Sequence, residues 1–288
     1  MNARKSLRKL INGSGYTIVP GAIDPLSARL VAAAGYDAVY LTGGGFSRAN
    51  GYPDLGLMTM TEIVGWIGRC VEAVGIPVIA DADTGYGNAL NVVRTVREYE
   101  KTGVAAFHLE DQVAPKKCGH YEGKQVVPTV EMVGKIKAAV DTRRDEALLI
   151  IARTDAIAVE GFQAALERAN AYLEAGADVG FVEAPQSEQQ LADIPGSLHG
   201  PALVNVFEGG KTPSLPASRL EELGYRLGIY PSQTQRAAIK AISGVLDILK
   251  REGEITDSAE RLATFQEREG SVDTARWQEL ERKYLQME

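Results

Sequence analysis

Residues 116 to 120 of this chain read Lys-Lys-Cys-Gly-His, a run in which a thiol stands among cations. A nearby positive charge favours the thiolate over the thiol, so Cys118 could move a proton near neutral pH, with His120 as a second candidate for proton transfer. Gly119 indicates a loop that is able to move. The other cysteine, Cys70, lies in an apolar stretch and is typical of a buried structural thiol. The sequence therefore predicts proton-transfer chemistry at Cys118.

A pair of carboxylates forms the second chemical feature. Asp81 and Asp83 are two residues apart at the end of a candidate strand, so both point to the same side of an extended segment. Glu110 ends the next candidate strand and adds a third carboxylate. Adjacent anions repel unless a cation joins them, and hard oxygen ligands favour Mg²⁺ or Mn²⁺ over zinc. The pattern predicts a divalent metal site.

Short β-branched runs alternate with longer amphipathic stretches along most of the chain. Eight such runs are candidate strands: 17–20, 38–43, 77–83, 105–111, 148–155, 179–185, 202–207 and 226–231. Helices are predicted at 25–34, 89–101, 129–140, 162–175 and 187–191. Repeated strand–helix units imply parallel strands, and eight of them close into a (β/α)8 TIM barrel.

The carboxyl ends of the strands form the active face of such a barrel. Thr42 is followed there by three glycines, whose unobstructed amides could receive a carboxylate or an oxyanion, although a triple glycine is more often only a turn. Later strands end in further polar residues, namely Arg153, Asp155, Glu183 and Asn205, and the eighth runs into Pro231 and Arg236. Polar groups at so many strand ends favour one shared site over scattered surface positions.

Bulk properties limit the partners and the compartment. The 288 residues are interpreted as a single barrel domain, with residues 237–288 a helical C-terminal extension. The net charge of −7 and the lack of a basic, aromatic-rich cluster argue against nucleic acid. No apolar run approaches the roughly 20 residues needed to cross a bilayer. We expect a cytoplasmic protein that binds a small molecule and no membrane.

These motifs, in this order, resemble the isocitrate lyase/phosphoenolpyruvate mutase superfamily. The chain is most similar to its short bacterial members, the 2-methylisocitrate and 2,3-dimethylmalate lyases. The resemblance runs from about residue 21 to residue 236 and is carried by residues 40–44, 81–87, 110–112, 116–120, 152–155, 183–184, 205 and 210–213. It implies a homotetramer that exchanges its last barrel helix between subunits.

The resemblance also implies a role for each candidate residue. A magnesium ion would be held by Asp81 and Asp83, with Asp54 and Glu110 reaching it or its waters. The substrate's carboxylate would bind at the second strand end, and the remaining pocket would be shaped by residues from later strands and the loop. The substrate-binding residues are Thr42, Gly43, Gly44, Gly119, Glu183, Asn205 and Arg236.

Three of the implied roles concern catalysis directly. Arg153 would neutralise charge that develops on the substrate oxygen. Cys118 would return a proton from a mobile gating loop, and Tyr40 is a weaker candidate for the base that deprotonates the hydroxyl. The implied reaction is retro-aldol (Claisen-type) cleavage of a 2-hydroxy di- or tricarboxylate to pyruvate or glyoxylate and a second acid.

Several alternatives remain open. Phosphonate mutases and hydrolases of the superfamily characteristically lack the Lys-Lys-Cys-Gly-His loop, which favours carbon–carbon cleavage here. Oxaloacetate hydrolases keep the cysteine but tend to carry a serine at the position matched to Pro231, and an oxaloacetate decarboxylase is also open. Isocitrate is disfavoured because long isocitrate lyases carry Gly-Trp where this chain reads Gly45-Phe46. A second arginine for 2-methylisocitrate matches only loosely, to Arg268, and a non-enzymatic binder would not need a proton donor on a loop.

Overall fold

Eight short parallel strands close into a barrel in which each strand pairs with the next along the chain. The structure, a computed structural model, describes residues 2–119, 121–255 and 258–285. The strands are β1 Thr17–Ala22, β2 Val39–Leu41, β3 Val78–Asp81, β4 Ala106–Glu110, β5 Leu149–Thr154, β6 Val179–Val182, β7 Ala202–Asn205 and β8 Leu227–Tyr230. β1 closes the barrel on β8, with Thr17 opposite Leu227. The predicted (β/α)8 TIM barrel is confirmed.

Helices follow the strands, as expected for repeated strand–helix units. In chain order they are α1 Ala3–Asn12, α2 Pro25–Ala33, α3 Gly43–Ala49, α4 Met60–Ala73, α5 Ala89–Thr102, α6 Thr129–Thr142, α7 Ile157–Glu160, α8 Phe162–Glu174, α9 Glu188–Ser197, α10 Ala217–Glu222, α11 Gln233–Glu252, α12 Ser258–Arg261, α13 Phe265–Ser271 and α14 Thr274–Leu285. The triple glycine, for which a carboxylate-binding segment and a simple turn were both considered above, begins α3 with Thr42 as its N-cap. The helix predicted at 187–191 continues to Ser197.

The strands form because their residues are apolar on both faces. Every residue of β3, β4 and β5 is buried, as expected for parallel strands that are covered by helices outside and by packed side chains inside. Inward-facing side chains such as Ile79, Ile151 and Phe181 belong to one cluster, to which α1 adds Leu7. The barrel interior is therefore a packed core, and the buried acids of β3 and β4, Asp81 and Glu110, stand at the carboxyl ends of those strands.

The chain divides into two compact units, Met1–Gln233 and Thr234–Glu288. The first contains the whole barrel. The second consists of helices and contains the segment that the sequence analysis assigned to a C-terminal extension. No helix in the described ranges is both long enough and apolar enough to cross a membrane.

Candidate active site

Three carboxylates lie buried at the ends of β3 and β4. Asp81, Asp83 and Glu110 are 6%, 9% and 1% exposed. The backbone of Asp83 is left-handed, with φ +46°, and its amide donates to Asp81 Oδ1 at 2.9 Å. Strain of this kind at a non-glycine residue is uncommon and often marks a functional site. The structure thus brings together the acids that the sequence analysis assigned to a metal.

A lysine that the sequence analysis did not assign lies among these acids. The ammonium of Lys116 is 2.6 Å from Asp54 Oδ1 and 2.9 Å from Asp83 Oδ1. Asp54, which follows α3, is only 6% exposed and so reaches the same cluster. Lys116 is the cation that neutralises the acids in this structure.

Two glycines let the backbone approach the acids closely. The amide of Gly43 donates to Asp81 Oδ2 at 3.2 Å. A Cβ at Gly43 would lie 2.7 Å from that oxygen, and a Cβ at Gly44 would lie 2.6 Å from Asp54 Oδ2. Both distances are shorter than any tolerated contact, so larger residues here would push the carboxylates away. Thr42, at the same strand end, is buried and accepts from the Gly45 amide.

Arg153 is buried at the end of β5 among carboxylates from three strand ends. Its Nε lies 2.9 Å from Asp155 Oδ2 and 3.3 Å from Glu110 Oε2. Its guanidinium also stacks over Phe181, 5.2 Å from the ring centre. These contacts hold the planar group in one orientation, with Nη2 3.8 Å from Glu183 Oε2. Arg153 is therefore a fixed positive charge at the carboxyl ends of β4, β5 and β6, the region called the pocket below.

Tyr40 lies in β2 beneath the acids, and its hydroxyl is 2.8 Å from His108 Nε2. The same nitrogen is 3.5 Å from Asp81 Oδ1. Burial, with the charge of Asp81, raises the pKa of Tyr40 well above its usual value. Tyr40 therefore carries its proton at neutral pH in this arrangement, and its role as a base stays a prediction.

The loop between β4 and α6 places Cys118 beside this cluster. The amide of Cys118 donates to the Asp54 carbonyl at 3.2 Å, and the side chain is partly exposed. A Cβ on Gly119 would lie 2.7 Å from both Arg153 Nη2 and Glu183 Oε1, so the loop backbone rests against those two side chains. Lys117 donates to the Gly123 carbonyl at 2.8 Å. His120, the other proton-transfer candidate, lies outside the described residues.

The later strand ends add further polar groups. Asn205 Nδ2 is 3.3 Å from each oxygen of Glu183, and Ala184, the next residue, has φ +58°. Buried polar atoms here lack a hydrogen-bond partner among the described residues, namely Asn205 Oδ1, Thr212 Oγ1 and Ser232 Oγ. Buried groups of this kind need partners, so these are suited to a polar ligand. Arg236 lies in α11, in the second unit.

The donor set fits a hard divalent cation. Within the described residues no three acidic, cysteine or histidine side chains converge closely enough to hold a metal ion. The available donors are nevertheless carboxylate oxygens, and Glu110 Oε1 is buried without a hydrogen-bond partner among those residues. Burial raises the pKa of Asp83 to about 6, with the charge of Asp81 adding to this effect and that of Lys116 opposing it. A divalent cation would bind among these carboxylates if the Lys116 ammonium moved aside.

Comparison with known proteins identifies similar chains. The phosphoenolpyruvate phosphomutase family profile matches residues 7–249. The 2,3-dimethylmalate lyase of Eubacterium barkeri is 47% identical over 285 residues, which is 99% of each chain. The 2-methylisocitrate lyase of Aeropyrum pernix is 44% identical over 90% of this chain and 83% of the relative.

Solved structures agree with the sequence comparison. A crystal structure of 2,3-dimethylmalate lyase has a TM-score of 0.92 and 36% identity, covering 98% of this chain and 95% of the other. Oxaloacetate acetylhydrolase in complex with 3,3-difluorooxalacetate scores 0.92 at 34% identity, covering 98% and 97%. Phosphonopyruvate hydrolase in complex with oxalate and Mg²⁺ scores 0.90 at 30% identity, covering 99% and 100%.

Proposed function

The chain belongs to the phosphoenolpyruvate phosphomutase family, and we propose that within it the protein is a magnesium-dependent carbon–carbon lyase. Its substrate is a 2-hydroxy di- or tricarboxylate, which it cleaves to pyruvate and a second carboxylic acid. The observation that carries the proposal is the placement of the Cys118 loop against Arg153 and Glu183, next to the buried acids. A thiol at this position can deliver a proton into the pocket that the arginine faces.

We favour 2,3-dimethylmalate over 2-methylisocitrate as the substrate. The supporting observation is the relative named for 2,3-dimethylmalate, whose 47% identity extends over 99% of both chains. The similarity to a 2-methylisocitrate lyase covers 90% of this chain at 44% identity. The similarity to the 2,3-dimethylmalate lyase extends over the C-terminal tail. In that tail, Arg268 matches only loosely the arginine expected to bind 2-methylisocitrate, which also favours 2,3-dimethylmalate.

The acids would hold Mg²⁺, or alternatively Mn²⁺, through Asp81 and Asp83, with Asp54 and Glu110 close by. When bound, the ion would supply Lewis-acid stabilisation of negative charge on the substrate's C2 oxygen. Thr42 and the amides of Gly43 and Gly44 lie beside these acids, where a substrate carboxylate would bind. The glycines keep that approach free of side chains.

Cleavage requires one proton to leave the substrate and one to return. Loss of the C2 hydroxyl proton allows the C2–C3 bond to break, and its electron pair passes into the second acid as an enediolate. Tyr40, the candidate base, would accept that proton only after giving its own to His108 Nε2, 2.8 Å from its hydroxyl. Arg153 offsets the charge on the oxygen while the bond breaks. The Cys118 thiol then protonates C3. The loop excludes water that would compete for that position.

One observation favours a second candidate, an oxaloacetate hydrolase. Ser232 follows Pro231 directly, and its buried hydroxyl oxygen has no hydrogen-bond partner among the described residues. A serine at this strand end is therefore available, although it stands one position beyond the residue matched to the hydrolase serine. The structural similarity to oxaloacetate acetylhydrolase is compatible with that activity.

A substrate panel tests the proposal. Purified protein with Mg²⁺ is given 2,3-dimethylmalate, 2-methylisocitrate and oxaloacetate separately, and pyruvate is followed by coupled NADH oxidation with and without chelator. We expect selective, chelator-sensitive release from 2,3-dimethylmalate. Formation of oxalate and acetate from oxaloacetate would show that the protein is a hydrolase and not a lyase. Pyruvate release from oxaloacetate, and from neither of the other substrates, would indicate a decarboxylase.

We also propose that the protein is a homotetramer that exchanges a helix between subunits. Four aliphatic side chains of α11, spaced so that they share one face, are between 42% and 59% exposed: Ile239, Ile242, Leu246 and Leu249. Such a face favours burial against another chain. Light scattering should give four times the 31.0 kDa chain mass, and a monomer in solution would refute the proposal.

A further inference from the structure

A second buried lysine lies under the Cys118 loop, at a position to which no catalytic role was assigned. The ammonium of Lys124 donates to the Gly119 carbonyl at 2.5 Å and to Asp155 Oδ1 at 2.7 Å. Its side chain is 1% exposed, and that of Asp155 is fully buried. We propose that Lys124 is a positioning residue that latches the loop over the pocket. This inference rests on the proposed function only in giving Cys118 the proton transfer.

Charge balance accounts for only one of the two contacts of Lys124. The single charge of Arg153 is shared among Asp155, Glu110 and Glu183, so Lys124 helps to neutralise Asp155. Burying an ammonium is costly unless it is paired and hydrogen-bonded. The other contact of Lys124 is the bond to Gly119, the residue next to the reactive thiol. The buried cation therefore also serves the loop backbone.

The latch is one of several restraints on the loop, since Lys116, two residues before Cys118, is also ion-paired, with Asp54 and Asp83. On the other side of Cys118, Gln112 Nε2 donates to the Lys117 carbonyl and Gln112 Oε1 accepts from the Lys117 amide, both at 2.9 Å. Those bonds are neutral, whereas the Lys124 bond is charge-assisted and about twice as strong. Loss of Lys124 should release the Gly119 side of the loop while the Gln112 side stays attached.

Asp155 connects the latch to the pocket. The same carboxylate orients Arg153 and neutralises Lys124, and Gly119 rests against Arg153. When the loop opens, Lys124 loses the Gly119 carbonyl and keeps Asp155. Asp155 therefore contributes both to closing the loop, through Lys124, and to orienting Arg153.

The test measures exposure of Cys118 and needs no substrate. Wild type and Lys124→Gln are treated with iodoacetamide, and alkylation is quantified by mass spectrometry of the peptides that contain the two cysteines. Cys70, which is 0% exposed, is the internal reference for global unfolding. Loss of a charge-assisted bond should speed alkylation of Cys118 about tenfold and leave Cys70 unchanged.

A second buried lysine provides the matched control. Lys135 has a side chain that is 4% exposed and donates to the Thr84 carbonyl at 3.2 Å, and it makes no hydrogen bond to the described residues of the loop. Lys135→Gln should leave Cys118 alkylation at the wild-type rate. Lys124→Arg, which keeps a charged donor, should stay close to wild type. Lys124→Met repeats the measurement if the glutamine variant does not fold.

Kinetics give a second readout if the lyase activity is established. Lys124→Gln should lower kcat about tenfold, because the thiol is less often in place, while Mg²⁺ affinity stays unchanged. Unaltered Cys118 alkylation in a folded Lys124 variant would overturn the latch. If alkylation of Cys118 is faster in the Lys124 variant but the wild-type protein cleaves none of the tested hydroxy acids, the latch is supported and only the proposed function is refuted.

Discussion

The two cysteines of this protein occupy opposite surroundings. Cys70 lies on the inner face of α4, is 0% exposed and belongs to the apolar cluster that includes Trp66 and Ile67. Burial raises the pKa of its thiol to about 12, so it stays protonated and inert at neutral pH. Cys118 lies partly exposed on a loop held by hydrogen bonds and buried ions.

The difference shows how position decides what one side chain does. Around Cys70 the protein packs apolar atoms, which contributes stability. Around Cys118 it buries Lys116, Lys124, Arg153 and several carboxylates, an arrangement that seldom stabilises a fold as well as apolar packing does. We interpret that costly arrangement as serving chemistry, and the following predictions test this difference.

The largest expected effect is on turnover at the loop thiol. Cys118→Ser replaces the proton donor by a hydroxyl that is far less acidic, so lyase turnover should fall roughly a thousandfold. Mg²⁺ affinity, measured by calorimetry, should stay near wild type because no carboxylate is altered. Near-normal turnover in this variant would remove Cys118 from the mechanism.

A smaller effect is expected at the core thiol, and on a different quantity. Cys70→Ser buries a hydroxyl in an apolar cluster, which should lower the free energy of unfolding by about 1–3 kcal/mol. Turnover of the folded variant should change by less than about twofold. Urea unfolding measures the change in the free energy of unfolding, and steady-state kinetics measure the turnover. A Cys70→Ser variant that is as stable as the wild type but inactive would show that Cys70 is not a purely structural thiol.

Much of the fold could be predicted because its signals are local. The apolar β-branched runs correspond to the strands within a few residues, since each strand is buried on both faces and reads as a continuous run. Helix α3 was not predicted because it begins with three glycines, which are poor helix formers. The end of α9 was missed because Pro195 lies inside that helix.

The residues of the candidate site that could be predicted from position mark strand ends, whereas Cys118 was predicted from its cationic neighbours in a loop. Asp81, Glu110 and Arg153 were found from their strand ends. Lys116 and Lys124 were missed because a lysine in a polar loop normally looks solvated. Their burial depends on Asp54 and Asp155, which lie 62 and 31 residues away along the chain. Pairing across such distances leaves no local pattern.

We propose that C2–C3 cleavage is followed by protonation of the second fragment inside a closed pocket. The most direct measurement is cleavage of 2,3-dimethylmalate in D₂O with Mg²⁺, followed by NMR of both products. We expect pyruvate and propionate in equal amounts, with one deuterium on propionate C2 in a single configuration. Deuterium in both configurations, or the absence of propionate, would contradict it.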